Sequence, residues 1–176
     1  TDVDRNEVLD LVLKNCQKYS PHRRLNTDIG NVDRFIDITE GNLRHVPGLN
    51  RWITWQGQRW EMIPNAFEFA RFVACSIYSE RDQENDDERR GKLIKWGMKS
   101  QEKSRLDAMV SLARQSKDIL LEDVMLDASP HLLGVPNGII DLTNGRLLPP
   151  DRELFITKSA AIAFDPHAAC PRWEQF

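Results

Sequence analysis

Two sets of carboxylates have spacings that could do chemistry. Asp33 and Asp37 fall one helical turn apart, and Asp86, Asp87 and Glu88 are consecutive. Converging carboxylates can hold divalent ions for primer synthesis or strand cleavage. A solvated helix face is the simpler reading of the first pair, and compensation of a helix dipole the simpler reading of the second run. The histidines His22, His45, His131 and His167 have no serine or cysteine partner in an interpretable motif. Cys16, Cys75 and Cys170 are odd in number and form no C-x-x-C pair, so neither a zinc site nor a disulfide framework is expected, and a reducing cytosolic compartment is. G-x-x-x-x-G-K-[ST], G-x-G-x-x-G and G-x-S-x-G are all missing. We assign no catalytic residue, no metal ligand and no cofactor to this stretch of chain.

Two basic features remain. Residues 44–60 hold Arg44, His45, Arg51, Arg59 and three tryptophans, with no carboxylate. Arginine beside aromatic rings is the composition of a groove that tracks a nucleic-acid strand. Trp52 is expected on the same face as Arg59, as a stacking ring, whereas Trp55 and Trp60 are expected in the core. The second feature follows Asp86. At 100° per residue, Arg89, Lys92, Lys95, Trp96 and Lys99 share an arc of roughly 120°, with Leu93, Ile94, Gly97 and Met98 opposite. This stripe is either a solvated face paired with the nearby acidic run or a contact for a phosphate backbone. Arg23 and Arg24 form a third, weaker candidate.

The elements that must position these residues follow from periodicity. The chain has 176 residues, 40% of them hydrophobic and 29% charged, which is enough to bury a core. Twenty-four basic against 27 acidic residues give a net charge of −3, so attraction to nucleic acid has to be local. No apolar stretch approaches the ~20 residues of a membrane span. Residues 4–18 read as an amphipathic helix, and a short helix is expected near Val32–Ile38, started by the Asp28–Asn31 region and ended at Gly41. Gly57-Gln58 closes a hairpin in which Trp55 opposes Trp60 and Ile53 opposes Met62, all four on one apolar face. Leu43–Val46 adds a third strand.

Helices are expected over Ala66–Ser79 and Asp86–Lys99, then a third N-capped by Ser100 and carrying Leu106, Met109, Val110 and Leu112. From Lys117 the pattern returns to strands, with turns at Pro136-Asn137-Gly138 and at Asn144-Gly145, the latter setting Leu142 opposite Leu147. The expected fold is therefore α+β: a small tryptophan-rich antiparallel hairpin sheet, a helical middle and C-terminal β-hairpins. The expected divisions are an N-terminal helix and linker over residues 1–25, a β-rich subdomain over 26–65, and a helical and hairpin domain over 66–176.

Several tracts together resemble one family. Thr27-Asp28-Ile29-Gly30-Asn31-Val32-Asp33-Arg34-Phe35 opens the match, followed by Trp52-Ile53-Thr54-Trp55-Gln56-Gly57 with Trp60, and Leu126-Asp127-Ala128-Ser129-Pro130. Val135-Pro136-Asn137-Gly138-Ile139-Ile140-Asp141-Leu142-Thr143-Asn144-Gly145 is the most specific of the set. Phe155-Ile156-Thr157-Lys158 and Phe164-Asp165-Pro166 through Cys170-Pro171-Arg172-Trp173 complete it. In this order they resemble the phage and plasmid primase–helicases of helicase superfamily 3, which include poxvirus-type NTPases and satellite-phage replication proteins.

The resemblance implies a domain just upstream of a hexameric, ATP-driven DNA helicase, with a primase often further toward the N-terminus. ATP and magnesium would then belong to the parent protein. Thr1 without a methionine and the stop at Phe176 read as the ends of an excised piece. The function expected is a non-catalytic accessory domain of a mobile-element replication helicase, supporting subunit assembly and DNA guidance in a bacterial or phage-infected cytoplasm. Its expected partners are DNA, the ATPase domain of the same protein and further copies, with no membrane. The alternatives are a module that recruits a primase or initiator without touching DNA, and a cryptic metal-dependent primase or nuclease using the carboxylates above.

Overall fold

The computed structural model describes residues 24–169 and 171–175, the side chains of 173 and 174 excepted. The helix expected over 4–18, with Cys16, His22, Arg23 and Cys170, lies outside the described residues. The fold is α+β: the described residues hold four main helices, a four-residue helix near their C-terminal end and two three-stranded antiparallel sheets. No helix among the described residues is long and apolar enough to cross a membrane. The chain forms two compact units. The first comprises the described residues up to Ile53 together with Met62–Leu121, and the second comprises Thr54–Glu61 and the chain from Glu122 onward. Residues on both sides of 65 thus belong to one unit, and each unit is built around its own contacts.

The first unit is helical. Helix α1 (Asp28–Thr39) starts at Thr27, whose hydroxyl accepts the Gly30 N–H at 3.1 Å, a cap worth about 1 kcal/mol. It therefore begins in the Asp28–Asn31 region where its start is expected. It stops where Glu40 turns left-handed at φ 46° and donates its N–H to the Asp37 carbonyl. Strand β1 (Leu43–Val46) follows. Helix α2 (Phe67–Gln83) runs a turn past Ser79, and α3 (Asp87–Ser100) is capped by the Asp86 carboxylate, which accepts the N–H groups of Glu88 and Arg89. Helix α4 (Lys103–Ala113) is preceded by Glu102, not Ser100. Ser100 instead closes α3, fully buried, its hydroxyl accepting a bond from Asn31 at 2.9 Å. The unit's core joins Val32, Phe35, Leu43, Trp52, Ala70, Val73, Leu106, Met109 and Ile119.

Strands β2 (Arg51–Trp55) and β3 (Trp60–Ile63) complete the first sheet in the order β1-β2-β3. The Gln56 N–H donates to the Arg59 carbonyl at 3.0 Å, and Gly57 sits at φ 80°, so the two-residue turn and its register are those the sequence predicts. The sorting of its faces is not. Trp52 is 1% exposed, whereas Met62 is 54% exposed. Trp52 packs against Phe35 and His45, with ring centroids at 6.2 and 5.0 Å, so β2 buries side chains of both parities.

The second unit centres on Trp60, whose ring lies 5.8 Å from Trp55 and 5.7 Å from Phe155. Its indole N–H donates to the Arg152 carbonyl at 2.8 Å and its backbone N–H to Ile156 at 2.8 Å. Strands β4 (Leu132–Val135), β5 (Gly138–Asp141) and β6 (Arg146–Leu148) form the second sheet in sequence order. The β5–β6 register pairs Asp141 with Arg146 and Ile140 with Leu147, so Leu142 does not oppose Leu147. The turn widens because the Asp141 carboxylate accepts the Thr143 N–H and hydroxyl and the Asn144 amide. Gly145, at φ 68°, then returns the chain to β6. A last short helix, α5 (Pro171–Glu174), ends the described chain.

Candidate nucleic-acid interface

The opening motif of the chain is used to build the first unit. Gly30 is required because a Cβ there would lie 2.0 Å from the Leu25 carbonyl oxygen. Arg34 is 0% exposed and forks onto Glu80, with Nε and Nη2 each 2.7 Å from a carboxylate oxygen. Its third nitrogen donates to the Leu25 carbonyl at 3.0 Å. Asn31 donates to Ser100 and accepts the Trp96 indole N–H at 2.9 Å. Arg105 lies over the Trp96 ring at 5.5 Å and pairs with Asp28. These residues fasten α1 to α2, α3 and α4.

The motifs of the second unit are fastened in the same way. Asp127 accepts the Thr157 N–H at 2.8 Å, its hydroxyl at 2.6 Å and the Lys158 N–H at 3.3 Å. Burial would raise the Asp127 carboxyl, but these donors outweigh it and hold it below the ordinary carboxylate value. The Asn137 amide donates to the Phe164 carbonyl and accepts its N–H, both at 2.9 Å, as a neighbouring strand would.

The nine residues nominated for nucleic-acid contact fall into three conditions. Trp52 lies in the core instead of beside Arg59 on a solvent face, and Trp96 turns its indole inward to Asn31. Four cations are engaged. Arg44 donates to the Leu43 carbonyl, Arg59 chelates Glu61 (Nε at 2.9 Å), Arg89 lies 3.5 Å from Glu84, and Lys92 lies 2.6 Å from Glu88. The carboxylate that neutralises Arg59 stands one residue past the acid-free segment. Arg51, Lys95 and Lys99 are exposed and have no ion-pair partner among the described residues. Arg51 starts β2, whereas Lys95 and Lys99 share a face of α3.

Of the candidate carboxylates, Asp33 is exposed, whereas Asp87 pairs with Arg90 and Glu88 with Lys92. Asp37 pairs with Arg24 and Asp86 caps α3. Among the described residues no three His, Cys, Asp or Glu side chains gather as metal ligands. An open groove of about 500 Å³ is lined partly by Glu68, Asp107 and Arg114, without a convergent catalytic set.

Arg114 is a residue the sequence pattern does not single out. It lies over the Trp52 ring at 5.9 Å, close enough to act on His45. Both His45 ring nitrogens are buried without a partner. Burial first, and the Arg114 charge second, lower the His45 pKa from its ordinary 6.5. The unfolded chain therefore binds the proton more readily. Stability is complete above pH 6.5 and is lost as pH falls from there toward the lowered folded value. Thermal unfolding between pH 7.5 and 5 should show this slope, and His45→Phe should flatten it; an unchanged slope would assign it to other groups.

An α+β domain with its signature residues spent on scaffolding is the class these features define. The chain belongs to the D5 N-terminal-like family, whose model matches residues 32–176. These are non-catalytic N-terminal domains of D5-like primase–helicases, in the setting of helicase superfamily 3. No curated protein matches the chain.

Proposed function

We propose that this chain is the accessory domain standing next to the ATP-driven motor of a mobile-element replication helicase, where it supports subunit assembly and guides DNA. The observation that carries the reading is the family match over residues 32–176. The use of the family's motif residues as internal fasteners supports it. ATP and magnesium belong to the motor. The partners are DNA, the adjoining ATPase domain and further copies arranged as a hexamer, in the cytoplasm of a bacterium or a phage-infected cell.

DNA contact is tested by anisotropy with labelled single- and double-stranded oligonucleotides over a salt series. Affinity should fall with salt, and Arg51→Ala should lower the logarithmic salt slope by about one. Arg59→Ala should do less, because Glu61 already holds that guanidinium. The engagement of Arg59, Arg89 and Lys92 by carboxylates favours the recruitment module as second reading. Salt-indifferent affinity, unmoved by Arg51→Ala, would decide for it.

A further inference from the structure

The inner face of α3 is accounted for by Trp96, Gly97 and Ser100, the last two buried and the first bonded to Asn31. Its outer face is not. Met98 is 65% and Ile94 37% exposed there, beside Lys95 and Lys99, which have no ion-pair partner among the described residues. Gly91 lies on the same outer midline, one turn before Lys95. A Cβ at Gly91 would meet nothing within 4 Å, and its backbone is not left-handed. Glycine inside a helix is destabilising relative to alanine, and no neighbouring atom of the described chain requires it here. A glycine in open space is explained when a foreign backbone approaches closely.

The same chain carries a complementary element. The 3₁₀ turn Asp123–Met125 exposes Val124 (71%) and Met125 (46%), flanked by the exposed carboxylates of Glu122 and Asp123. Neither acid has an ion-pair partner among the described residues. Two lysines beside an apolar strip on one element thus match two carboxylates beside an apolar tip on another.

We propose that the outer face of α3 is a docking seat for the Glu122–Met125 turn of a second copy of this chain. The tip would lie over Gly91 and Met98, and Lys95 and Lys99 would face the two acids. Because two different surfaces meet, the contact is head-to-tail and can propagate from copy to copy. It rests on the assembly half of the function proposed above and assigns α3, unlike Arg51, to protein instead of DNA. One turn on one helix face is small beside a standard interface, so association of this chain is concentration-dependent.

The test is charge exchange, read by sedimentation velocity over a concentration series up to the solubility limit. Lys95→Glu with Lys99→Glu, and separately Glu122→Lys with Asp123→Lys, should each weaken self-association by more than about tenfold. Mixing these two variants, or combining all four substitutions in one chain, should restore it. Gly91→Ala should raise the thermal midpoint of the dilute chain while weakening association. Association that ignores the exchange overturns this interface and leaves assembly standing. A chain that is monomeric at every concentration overturns both. Loss of salt-dependent DNA affinity in the Lys95→Glu, Lys99→Glu variant, without loss of association, makes the ridge a phosphate contact and overturns the proposal.

Discussion

Arg34→Ala is expected to remove about 3–5 kcal/mol of folding stability, because it breaks a buried ion pair and leaves one partner behind. The guanidinium is 0% exposed and satisfies both Glu80 oxygens together with the Leu25 carbonyl. Alanine would strand a carboxylate with a side chain only 17% exposed, and the more distant Arg24 nitrogen, at 3.6 Å, compensates in part. It would also leave a cavity where α1 meets α2. Urea unfolding should show a lower midpoint at unchanged slope. Arg34→Met combined with Glu80→Leu should recover most of the loss, since neither charge is then left buried alone. A single variant within about 0.5 kcal/mol of the parent would place Arg34 among ordinary surface substitutions and refute the fastening role given to the opening motif.

Trp60→Ala is expected to cost a similar 3–5 kcal/mol, here through lost packing and the void it leaves. Trp60 is 1% exposed, stacks near Phe155 and donates to Arg152. Trp60→Phe retains most of the apolar volume and leaves only the Arg152 carbonyl unmet, so about 1–3 kcal/mol is expected. Trp55→Ala should be milder than Trp60→Ala, because Trp55 is half-buried. Thermal unfolding ranks the three variants, and amide exchange along β4 and β5 should quicken in Trp60→Ala. Equal effects at Trp55 and Trp60 would remove Trp60 from the centre of its unit.

What could be read in the sequence was whatever is decided locally. The Gly57 hairpin register follows from a period-two pattern and one turn residue, and the structure has it. The burial of Trp52 could not be read, since alternation assumes a single buried face and β2 buries both. Trp96 lies in a plausible basic stripe, but its indole is claimed by Asn31, a residue in another helix with a side-chain amide that no periodicity reports. The Asn144-Gly145 turn was legible as a turn and mistaken in width, because the Asp141 carboxylate competes for its donors. The family motifs were legible as motifs. Their role was hidden because Arg34, Asn31, Asp127 and Asn137 each act on a partner distant in sequence.

The Asn137 bonds have a consequence for the lifetime of the protein. Asn137 precedes Gly138, the neighbour that least hinders cyclisation of an asparagine side chain onto the following backbone nitrogen. While the amide is held from both sides by Phe164, it is kept from that attack. Once it hydrolyses, the Phe164 N–H keeps its acceptor, but the Phe164 carbonyl faces a carboxylate oxygen instead of a donor and loses its bond. Chemical ageing at this site would irreversibly loosen the segment around Phe164, without any cut in the chain.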